Sequence, residues 1–313
     1  MNSKSLVTLL ASAGLALLFS ARPAAAQVLV SEFSGNGGIS EYTFAGSFVR
    51  TLVAGGSGGL ATPSGIKFGP DGNLYVASSG NGSIKKYDGT TGAFLSTVAT
   101  GLGTDYDLVF GPDGNLYVPD FSSNAAYKVN PATGAILKTY LSGISRPEGI
   151  AVRSNGNLIV SSSLGSNPVE INNITGTSST FATGIGRNVG FIQGPDSRFY
   201  FAGYDTGNID VVPESGGAAT SFSTGASLSS AQYIAYGNGS FYVGTFNTNL
   251  VRFFSTTTGA YQGSFVSPTS TGIAIRGINV AAAAPEPSSL ALLVLPALGV
   301  LVARRRTALT GKV

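Results

Sequence analysis

The stretch GPDGNLYV occurs twice without a change, at residues 69–76 and again at residues 111–118. The second copy begins 42 residues after the first, and weaker copies continue at nearly the same interval. They read PEGIAVRSNGNLIV at 147–160, NVGFIQGPDSRFYF at 188–201 and YIAYGNGSFYV at 233–243. A fixed period of 20–50 residues is typical of solenoids, propellers and arrays.

Each repeat contains four short apolar segments that are separated by turn signals. In the copy at 63–98, the turns read GPDG at 69–72, GNG at 80–82 and DGTTG at 88–92. Proline presets φ at the second position of such a turn, and glycine provides the conformational freedom that the last position needs. Four antiparallel strands in about 42 residues predict one blade of a β-propeller.

Five full copies leave a piece of a repeat at each end of the body. The piece at 28–53 lacks the first strand of a blade, and the segment GIAIR at 272–276 matches a first strand alone. The two pieces therefore make one further blade. We predict an all-β fold, a six-bladed β-propeller over residues 27–281 with four-stranded antiparallel blades, in which the last strand closes the N-terminal blade.

The repeats resemble those of the NHL family over about residues 28–280. The nearest match is the blade opening Arg146-Pro147-Glu148-Gly149-Ile150-Ala151-Val152, which is followed by Gly156-Asn157-Leu158-Ile159-Val160. The segment Tyr117-Val118-Pro119-Asp120 is similar to the Asp-ended second strand of that repeat. This resemblance implies a six-bladed propeller. It is specific for the fold and weak for function, because propellers host many activities.

Composition excludes several classes of chemistry. The chain has no cysteine and no histidine, which removes disulfides, thiol catalysis, Ser–His–Asp triads and the usual zinc sites. The net charge of +3 comes from the two ends, because residues 27–284 hold 12 Lys/Arg and 14 Asp/Glu. The body therefore has no basic face for nucleic acid, and we expect no nucleic-acid partner.

The N-terminal segment 1–26 has the three parts of a secretory signal peptide. Lys4 provides the positive start, an apolar run follows, and small residues end at Ala26 before Gln27. We expect cleavage between Ala26 and Gln27. The alternative is a buried N-terminal helix.

The C-terminal segment 282–313 reads as a sorting tail. It contains Pro285-Glu286-Pro287, then a charge-free apolar run at 290–303, then Arg304-Arg305-Arg306. The run has 14 residues, which is short against the roughly 20 of a spanning helix, although the flanking residues lengthen it. Arginines after the run favour a cytoplasmic C-terminus and a body outside the inner membrane.

This tail resembles the PEP-CTERM signal of Gram-negative bacteria. The resemblance implies processing by an exosortase near Pro285-Glu286-Pro287, and release or attachment at the cell surface. It also implies a transient anchor in the inner membrane through a short helical transmembrane segment that lies, like the signal helix, outside the propeller. The alternative is a plain C-terminal membrane anchor.

Alignment of the repeats places six residues at one equivalent position, where the first strands enter the central channel. They are Ser64, Tyr106, Glu148, Val189, Gln232 and Thr271. Beside them in the sequence lie Asp105, Asp107, Arg146 and Asn188, and Asp120 ends a second strand near the same mouth. These residues offer oxygen ligands of the kind that Ca²⁺ prefers. The alternative interpretation is a ring of solvated polar side chains.

Two further families bear on these residues. Glu148-Gly149 resembles the blade opening of gluconolactonase-like propellers, which implies a divalent ion held by Glu148, Asn188 and Asp107. Streptogramin lyases depend on a histidine that this chain lacks. The recurring Asp71, Asp113 and Asp196 fit turn chemistry better than catalysis. Aromatic residues fit either blade core or platforms for sugar rings, and the candidate platforms are Tyr106, Phe121, Tyr204, Tyr233 and Phe246.

These observations favour an exported, surface-sorted propeller that acts as a non-catalytic binding or structural module. The expected partners are an exosortase during processing and a polysaccharide or envelope protein afterwards, and no cofactor is expected unless the channel binds Ca²⁺. The alternative is a metal-dependent lactonase or lyase in the channel. A third interpretation is a sheath component without a defined ligand.

Overall fold

The computed structural model describes residues 27–33, 36–103, 107–141, 143, 145–164, 167–228, 230–245 and 248–265, with the backbone alone of 266 and 274–280. These residues form six four-stranded antiparallel sheets, which are the blades of a β-propeller. The predicted fold class is therefore confirmed. The signal segment and the sorting tail lie outside the described residues.

Blades 1 to 3 follow the repeats in chain order. Blade 1 contains β4 (Pro63–Phe68), β5 (Leu74–Ser78), β6 (Ser83–Tyr87) and β7 (Phe94–Thr100). Blade 2 contains β8 (Val109–Phe110), β9 (Leu116–Asp120), β10 (Ala125–Val129) and β11 (Ile136–Tyr140). Blade 3 contains β12 (Pro147–Val152), β13 (Leu158–Ser162), β14 (Val169–Ile171) and β15 (Ser178–Thr180).

Blades 4 to 6 complete the ring. Blade 4 contains β17 (Asn188–Gln193), β18 (Phe199–Gly203), β19 (Ile209–Val212) and β21 (Thr220–Ser221). Blade 5 contains β22 (Ala231–Gly237), β23 (Ser240–Thr245), β24 (Leu250–Ser255) and β25 (Tyr261–Val266). Blade 6 contains β26 (Ala274–Val280), β1 (Gln27–Phe33), β2 (Ile39–Thr43) and β3 (Phe48–Val53).

A few short elements lie outside the blades. A parallel pair joins β16 (Ala182–Thr183) to β20 (Gly217–Ala218) beside blade 4, and the repeat pattern did not predict it. Two 3₁₀ turns span Ser57–Gly59 and Ser79–Asn81. Within the described ranges, none of the helical turns could span a membrane.

Apolar packing holds the blades together at every junction of the ring. Six buried clusters are found among the described residues, and each one joins two neighbouring blades. Between blades 4 and 5, for example, Tyr200 and Phe241 pack with ring centroids 4.4 Å apart. Burial of this kind contributes roughly 1.5–3 kcal/mol for each large side chain. The core is therefore a ring of blade interfaces.

The C-terminal strand closes the ring as predicted. Strand β26 pairs antiparallel with β1 from Val28 opposite Val280 to Phe33 opposite Ala274, with one irregularity between Val30 and Ser31. It thereby occupies the first-strand position of blade 6, between the first strands of blades 5 and 1. The closure joins the two ends of the described chain within one sheet.

The ring has two unlike faces. The first strands begin at the mouth face, which also carries the hairpins that follow the second strands, such as residues 79–82. The first strands end at the opposite face, the turn face, which carries turns such as 69–73 and 88–93. At the turn face Gly72 and Gly114 have φ of 75° and 74°, which is the freedom that these turns demand.

Candidate binding site at the channel mouth

A β-bulge at the start of the first strand shapes the mouth of the channel in four blades. In blade 1 the register shifts between Pro63 and Ile66, so that one extra residue is inserted opposite the second strand. The same shift follows Pro147 in blade 3, Asn188 in blade 4 and Ala231 in blade 5. Bulges redirect side chains locally. The aligned positions 64, 148, 189 and 232 all lie within these bulges.

Neighbouring blades are tied together at the bulges. The Ser31 hydroxyl donates a hydrogen bond to the Ser64 carbonyl in the next blade at 2.6 Å. The Ser161 hydroxyl donates similarly to the Val189 carbonyl at 3.2 Å. The Gly149 amide in turn donates to the Ser161 hydroxyl at 3.1 Å. The mouth is therefore a rigid, hydrogen-bonded part of the ring.

The polar residues at the mouth are buried. Ser64, Glu148, Asn188 and Gln232 are each at most 4% exposed. The interpretation of these residues as a ring of solvated side chains was wrong, because the first strands pack closely enough to exclude solvent from them. Tyr106 and Thr271, together with the neighbouring Asp105, lie outside the described residues.

Asp107 is buried in the wall between blades 2 and 3. Burial raises the pKa of its carboxyl above the usual value. The Lys67 ammonium and the backbone amides of Leu108 and Ile150 act in the opposite direction, but burial outweighs them. The Lys67 Nζ atom lies 3.9 Å from Asp107 Oδ1. Asp107 is thus held by blade 1 on one side and blade 3 on the other.

Asp120 serves the hairpin that follows β9. Its Oδ1 atom accepts hydrogen bonds from the Ser122 and Ser123 amides at 2.8 and 3.2 Å. Its Oδ2 atom accepts one from the Ser123 hydroxyl at 2.5 Å. These bonds satisfy the carboxylate locally, so the structure gives Asp120 a turn-forming role within the sequence-predicted set.

Two buried amide oxygens at the mouth have no hydrogen-bond donor. The Asn188 Nδ2 group donates to the Gly186 carbonyl at 3.3 Å, which fixes the amide orientation and leaves Oδ1 unpaired. The Gln232 Oε1 atom in the adjacent blade is also buried and unpaired. A buried acceptor without a donor costs about 1–3 kcal/mol. The two oxygens are therefore suited to a hydroxyl, an ammonium group or a cation.

Arginine and aromatic side chains pair at the mouth face. The Arg146 guanidinium lies 5.1 Å from the Phe121 ring centre, and the Arg187 guanidinium lies 4.0 Å from the Tyr204 ring centre. Arg187 also forms an ion pair with Asp205 at 3.0 Å. The arginines cover these two rings, and Tyr233 is buried in the core, whereas Phe246 lies outside the described residues. Each of these two partly exposed rings therefore has an arginine over one face, and the buried Tyr233 ring is not accessible to a sugar.

Arg187 is not among the site residues that the sequence predicts. Arg146 and Arg187 occupy the same repeat position, immediately before the first strand of blades 3 and 4, and they are separated by 41 residues. That spacing is a signal that could have identified Arg187. Phe121 and Tyr204 likewise occupy one repeat position, the first residue after the second strand of blades 2 and 4.

On the turn face, the recurring aspartates have the structural role that the sequence predicts. Asp71 accepts hydrogen bonds from the Asn73 amide and from the Tyr75 hydroxyl, and it pairs with Lys86 at 2.8 Å. Blade 2 repeats the arrangement with Asp113, Tyr117 and Lys128. Blade 4 replaces the lysine with an arginine, and its members are Asp196, Tyr200 and Arg198.

These interactions cause the free energy of unfolding to depend on pH. Partial burial would raise the pKa of Asp71, but hydrogen bonds from Lys86, Asn73 and Tyr75 outweigh burial and hold it well below its usual range. Asp113 behaves in the same way. A carboxyl with a lowered pKa in the fold contributes stability above its unfolded pKa of about 3.9, and this contribution disappears as the pH falls.

We therefore expect the melting temperature to fall as the pH is lowered below about 4, because the unfolded chain then binds protons that the folded carboxylates do not bind. The double variant Asp71→Asn, Asp113→Asn keeps the side-chain shape and one of the two oxygens at each position, but not the charge. Its melting temperature should be lower at pH 7 and should fall less steeply in acid. Calorimetric scans at several pH values measure both quantities, and parallel curves for the two proteins would contradict this assignment.

The described residues contain no cluster of three or more His, Cys, Asp and Glu side chains that could hold a metal ion. The predicted set of Glu148, Asn188 and Asp107 contributes two carboxyls and one amide, and all three side chains are buried at the first strands. Of these three, Asn188 has the unpaired oxygen that a cation or a hydroxyl group would satisfy.

No protein-family model and no curated protein matches the chain. Similar solved structures are propellers of low sequence identity. A crystal structure of a nidogen/laminin complex matches with a TM-score of 0.69 and 14% identity, over 83% of this chain and 100% of the other. Virginiamycin B lyase from Staphylococcus aureus matches with a TM-score of 0.57 and 16% identity, over 77% of this chain and 81% of the other.

A second structure of this lyase, a catalytically inactive histidine-to-alanine variant with quinupristin, also matches. Its TM-score and identity are the same, and the match covers 77% of this chain and 86% of the other. Because all these identities are below 20%, the matches show the fold alone. In its fold, this chain is a six-bladed β-propeller similar to those of nidogen and virginiamycin B lyase.

Proposed function

We propose that this protein is an exported, exosortase-sorted β-propeller that acts at the cell surface or outside the cell as a non-catalytic binding or structural module. Its sequence begins with the three parts of a signal peptide and ends with Pro285-Glu286-Pro287, an apolar run and an arginine cluster. Between these ends lies a closed ring whose rigidity suits the display of loops to a partner. The partner would be a polysaccharide or an envelope protein.

The non-catalytic assignment rests on one observation, which is that most of the described carboxylates form contacts that stabilise the fold. General acid–base chemistry needs a side chain that can exchange a proton with a substrate, and this chain has no histidine or cysteine for that role. The described carboxylates that already serve ion pairs, turns or hydrogen bonds from hydroxyl groups are Glu32, Glu41, Asp71, Asp88, Asp107, Asp113, Asp120, Glu170, Asp196, Asp205 and Asp210.

The structural relatives support a binding role more than the lyase activity. One relative was crystallised in a complex with laminin, so a propeller of this shape can present a face to another protein. The lyase relative has a catalytically inactive form in which a histidine is replaced by alanine. This chain has no histidine at all, so that route to lyase activity is closed to it.

A second candidate function is a divalent-metal-dependent lactonase or lyase with its site in the channel. The unpaired Asn188 Oδ1 and Gln232 Oε1 atoms favour it, because side-chain oxygens are the donor type that Ca²⁺ prefers. In that case Glu148, Asn188 and Asp107 would hold the ion. The ion would supply Lewis-acid polarisation of a substrate carbonyl.

Calcium-dependent melting separates the two candidates. We expect residues 27–284 to melt at the same temperature with and without millimolar CaCl₂, and Glu148→Gln to change nothing in that comparison. A site that bound Ca²⁺ only in the folded state would stabilise the protein by about 2.7 kcal/mol at one hundred times its Kd. Glu214→Gln, which removes the same charge from an exposed turn, is the matched control.

A rise in melting temperature that Glu148→Gln abolishes and Glu214→Gln retains would overturn the non-catalytic assignment. It would favour the metal-dependent enzyme and justify a screen of lactones. A rise that both variants retain would point to Ca²⁺ bound elsewhere and would leave the channel without a metal.

A further inference from the structure

The two chain ends leave the ring at one point on the turn face. In every other blade a turn such as 69–73 joins the end of the first strand to the start of the second. In blade 6 no turn makes this connection, because the first strand β26 and the second strand β1 come from opposite ends of the described chain. Strand β26 ends at Val280, which lies opposite Val28 near the start of β1. Gln27 and Val280 therefore both lie at the inner part of the turn face. The apolar leader before Gln27 and the apolar tail after Val280 both depart from there.

The length of the connecting chain limits how the ring can lie on a membrane. Nine residues, 281–289, separate Val280 from the apolar run at 290–303. Fully extended, they span at most about 30 Å. To reach the mouth face from the inner turn face, the chain must cross four strands at about 4.8 Å each and then a blade height of roughly 20 Å. That path of about 40 Å is too long, so the mouth face cannot meet the membrane.

The turn face also carries most of the exposed large apolar side chains. They lie where the fourth strands begin, in the turn between β14 and β15, and at the end of β22. We call this set the apolar collar, and its members are Phe48, Phe94, Leu95, Ile136, Leu137, Ile174, Tyr236 and Tyr261. Ile174 is 88% exposed. At the mouth face only Leu141 and Leu164, among the described residues, are comparably exposed.

We propose that the propeller rests on the membrane through its turn face, with the apolar collar at the lipid interface, while the sorting tail is still attached. Aromatic and aliphatic side chains at an interface bind lipid by burying apolar area. The mouth face, with Arg146, Arg187 and the channel entrance, then points away from the membrane towards a partner. This inference rests on the proposed function, because it uses the tail as the anchor.

The absence of cysteine permits a direct test by single-site labelling of residues 27–313, which are the full chain after removal of the leader. Ile174→Cys and Phe48→Cys place a fluorophore on the collar in opposite blades, 3 and 6, and Leu141→Cys places it on the mouth face as a control of similar exposure to Ile174. Each protein is reconstituted in vesicles of phosphatidylethanolamine and phosphatidylglycerol that contain lipids with a nitroxide at the headgroup. Melting of each labelled protein verifies folding.

We expect the nitroxide lipids to quench both collar probes at least about twofold more strongly than the mouth-face probe, as apolar side chains at the headgroup level require. Equal quenching at all three sites, or stronger quenching at Leu141→Cys, would overturn the orientation. Quenching at only one collar position would also overturn it, because the ring would then stand on its edge.

Vesicle flotation keeps this inference separate from the proposed sorting. The full chain should float with the vesicles, and a chain that ends at Ala284 should float less. If the full chain does not float, the anchoring role of the tail is wrong and the orientation falls with it. If it floats and the collar probes are not quenched, only the orientation is wrong.

Discussion

Removal of strand β26 is expected to abolish cooperative folding of the propeller. A chain of residues 27–273 keeps five complete blades and three strands of the sixth, but it loses the pairing of β26 with β1 and the contacts of β26 with the first strands of blades 5 and 1. A ring is stabilised by each blade interface. Opening two interfaces should therefore remove most of the roughly 5–15 kcal/mol that stabilises a domain.

The matched control is a chain of residues 27–280, which ends at the last residue of β26. It should show one sharp thermal transition by circular dichroism, whereas the chain of residues 27–273 should show a broad, low-temperature loss of signal. An equally sharp transition in the shorter chain, within a few degrees of the control, would show that closure does not stabilise the ring.

The second large effect is expected from Gly190→Ala. Gly190 lies in the bulge of blade 4, and a Cβ atom there would lie 2.5 Å from the Gln232 carbonyl oxygen and 2.9 Å from the Tyr233 Cα atom. Both atoms belong to the backbone of the next blade, so a side-chain rotation cannot relieve the overlap. Overpacking of this kind costs about 1–3 kcal/mol, and we expect the upper end because two blades must separate.

Gly114→Ala is the control for Gly190→Ala. Gly114 has nothing within 4 Å of its added Cβ atom, and its φ of 74° makes alanine strained there by about 1–2 kcal/mol. Urea unfolding of both variants measures the two losses of unfolding free energy. A loss at Gly190 no greater than that at Gly114 would contradict the close approach of the first strands.

The sequence repeat is sufficient to predict the blades, because each blade is a local unit with its own turn chemistry. The Asp71 and Asp113 turns, the number of blades and the closure by the C-terminal strand all follow from spacing, and the structure confirms them. The aligned first-strand positions were also informative. Ser64, Glu148 and Gln232 occupy equivalent bulges in three blades.

The environment of those residues could not be predicted in the same way. Whether Glu148 is solvated or buried depends on how closely neighbouring first strands approach, which is a property of the closed ring and not of one repeat. The same is true of the unpaired oxygens of Asn188 and Gln232, and of the Lys67 contact with Asp107 across a blade boundary. Partners of this kind lie about one repeat apart in sequence, and spacing alone does not identify them.

The two faces together give a simple division of roles. The turn face carries the Asp–Tyr–Lys interactions, the apolar collar and the exit of both chain ends, so it suits attachment. The mouth face carries the buried acceptors and the two arginine–aromatic pairs, so it suits recognition. This arrangement would keep the recognition face accessible during export and processing.

The intact mass of the protein recovered from the surface and medium of the organism that encodes it shows whether the mature protein is the sorted propeller. We expect a chain that starts at Gln27 and ends near Pro285-Glu286-Pro287, with or without an attached group at its new C-terminus. A chain that retains Arg304-Arg305-Arg306 and ends at Val313 would contradict sorting, and a 31.6 kDa chain that starts at Met1 would contradict export as well.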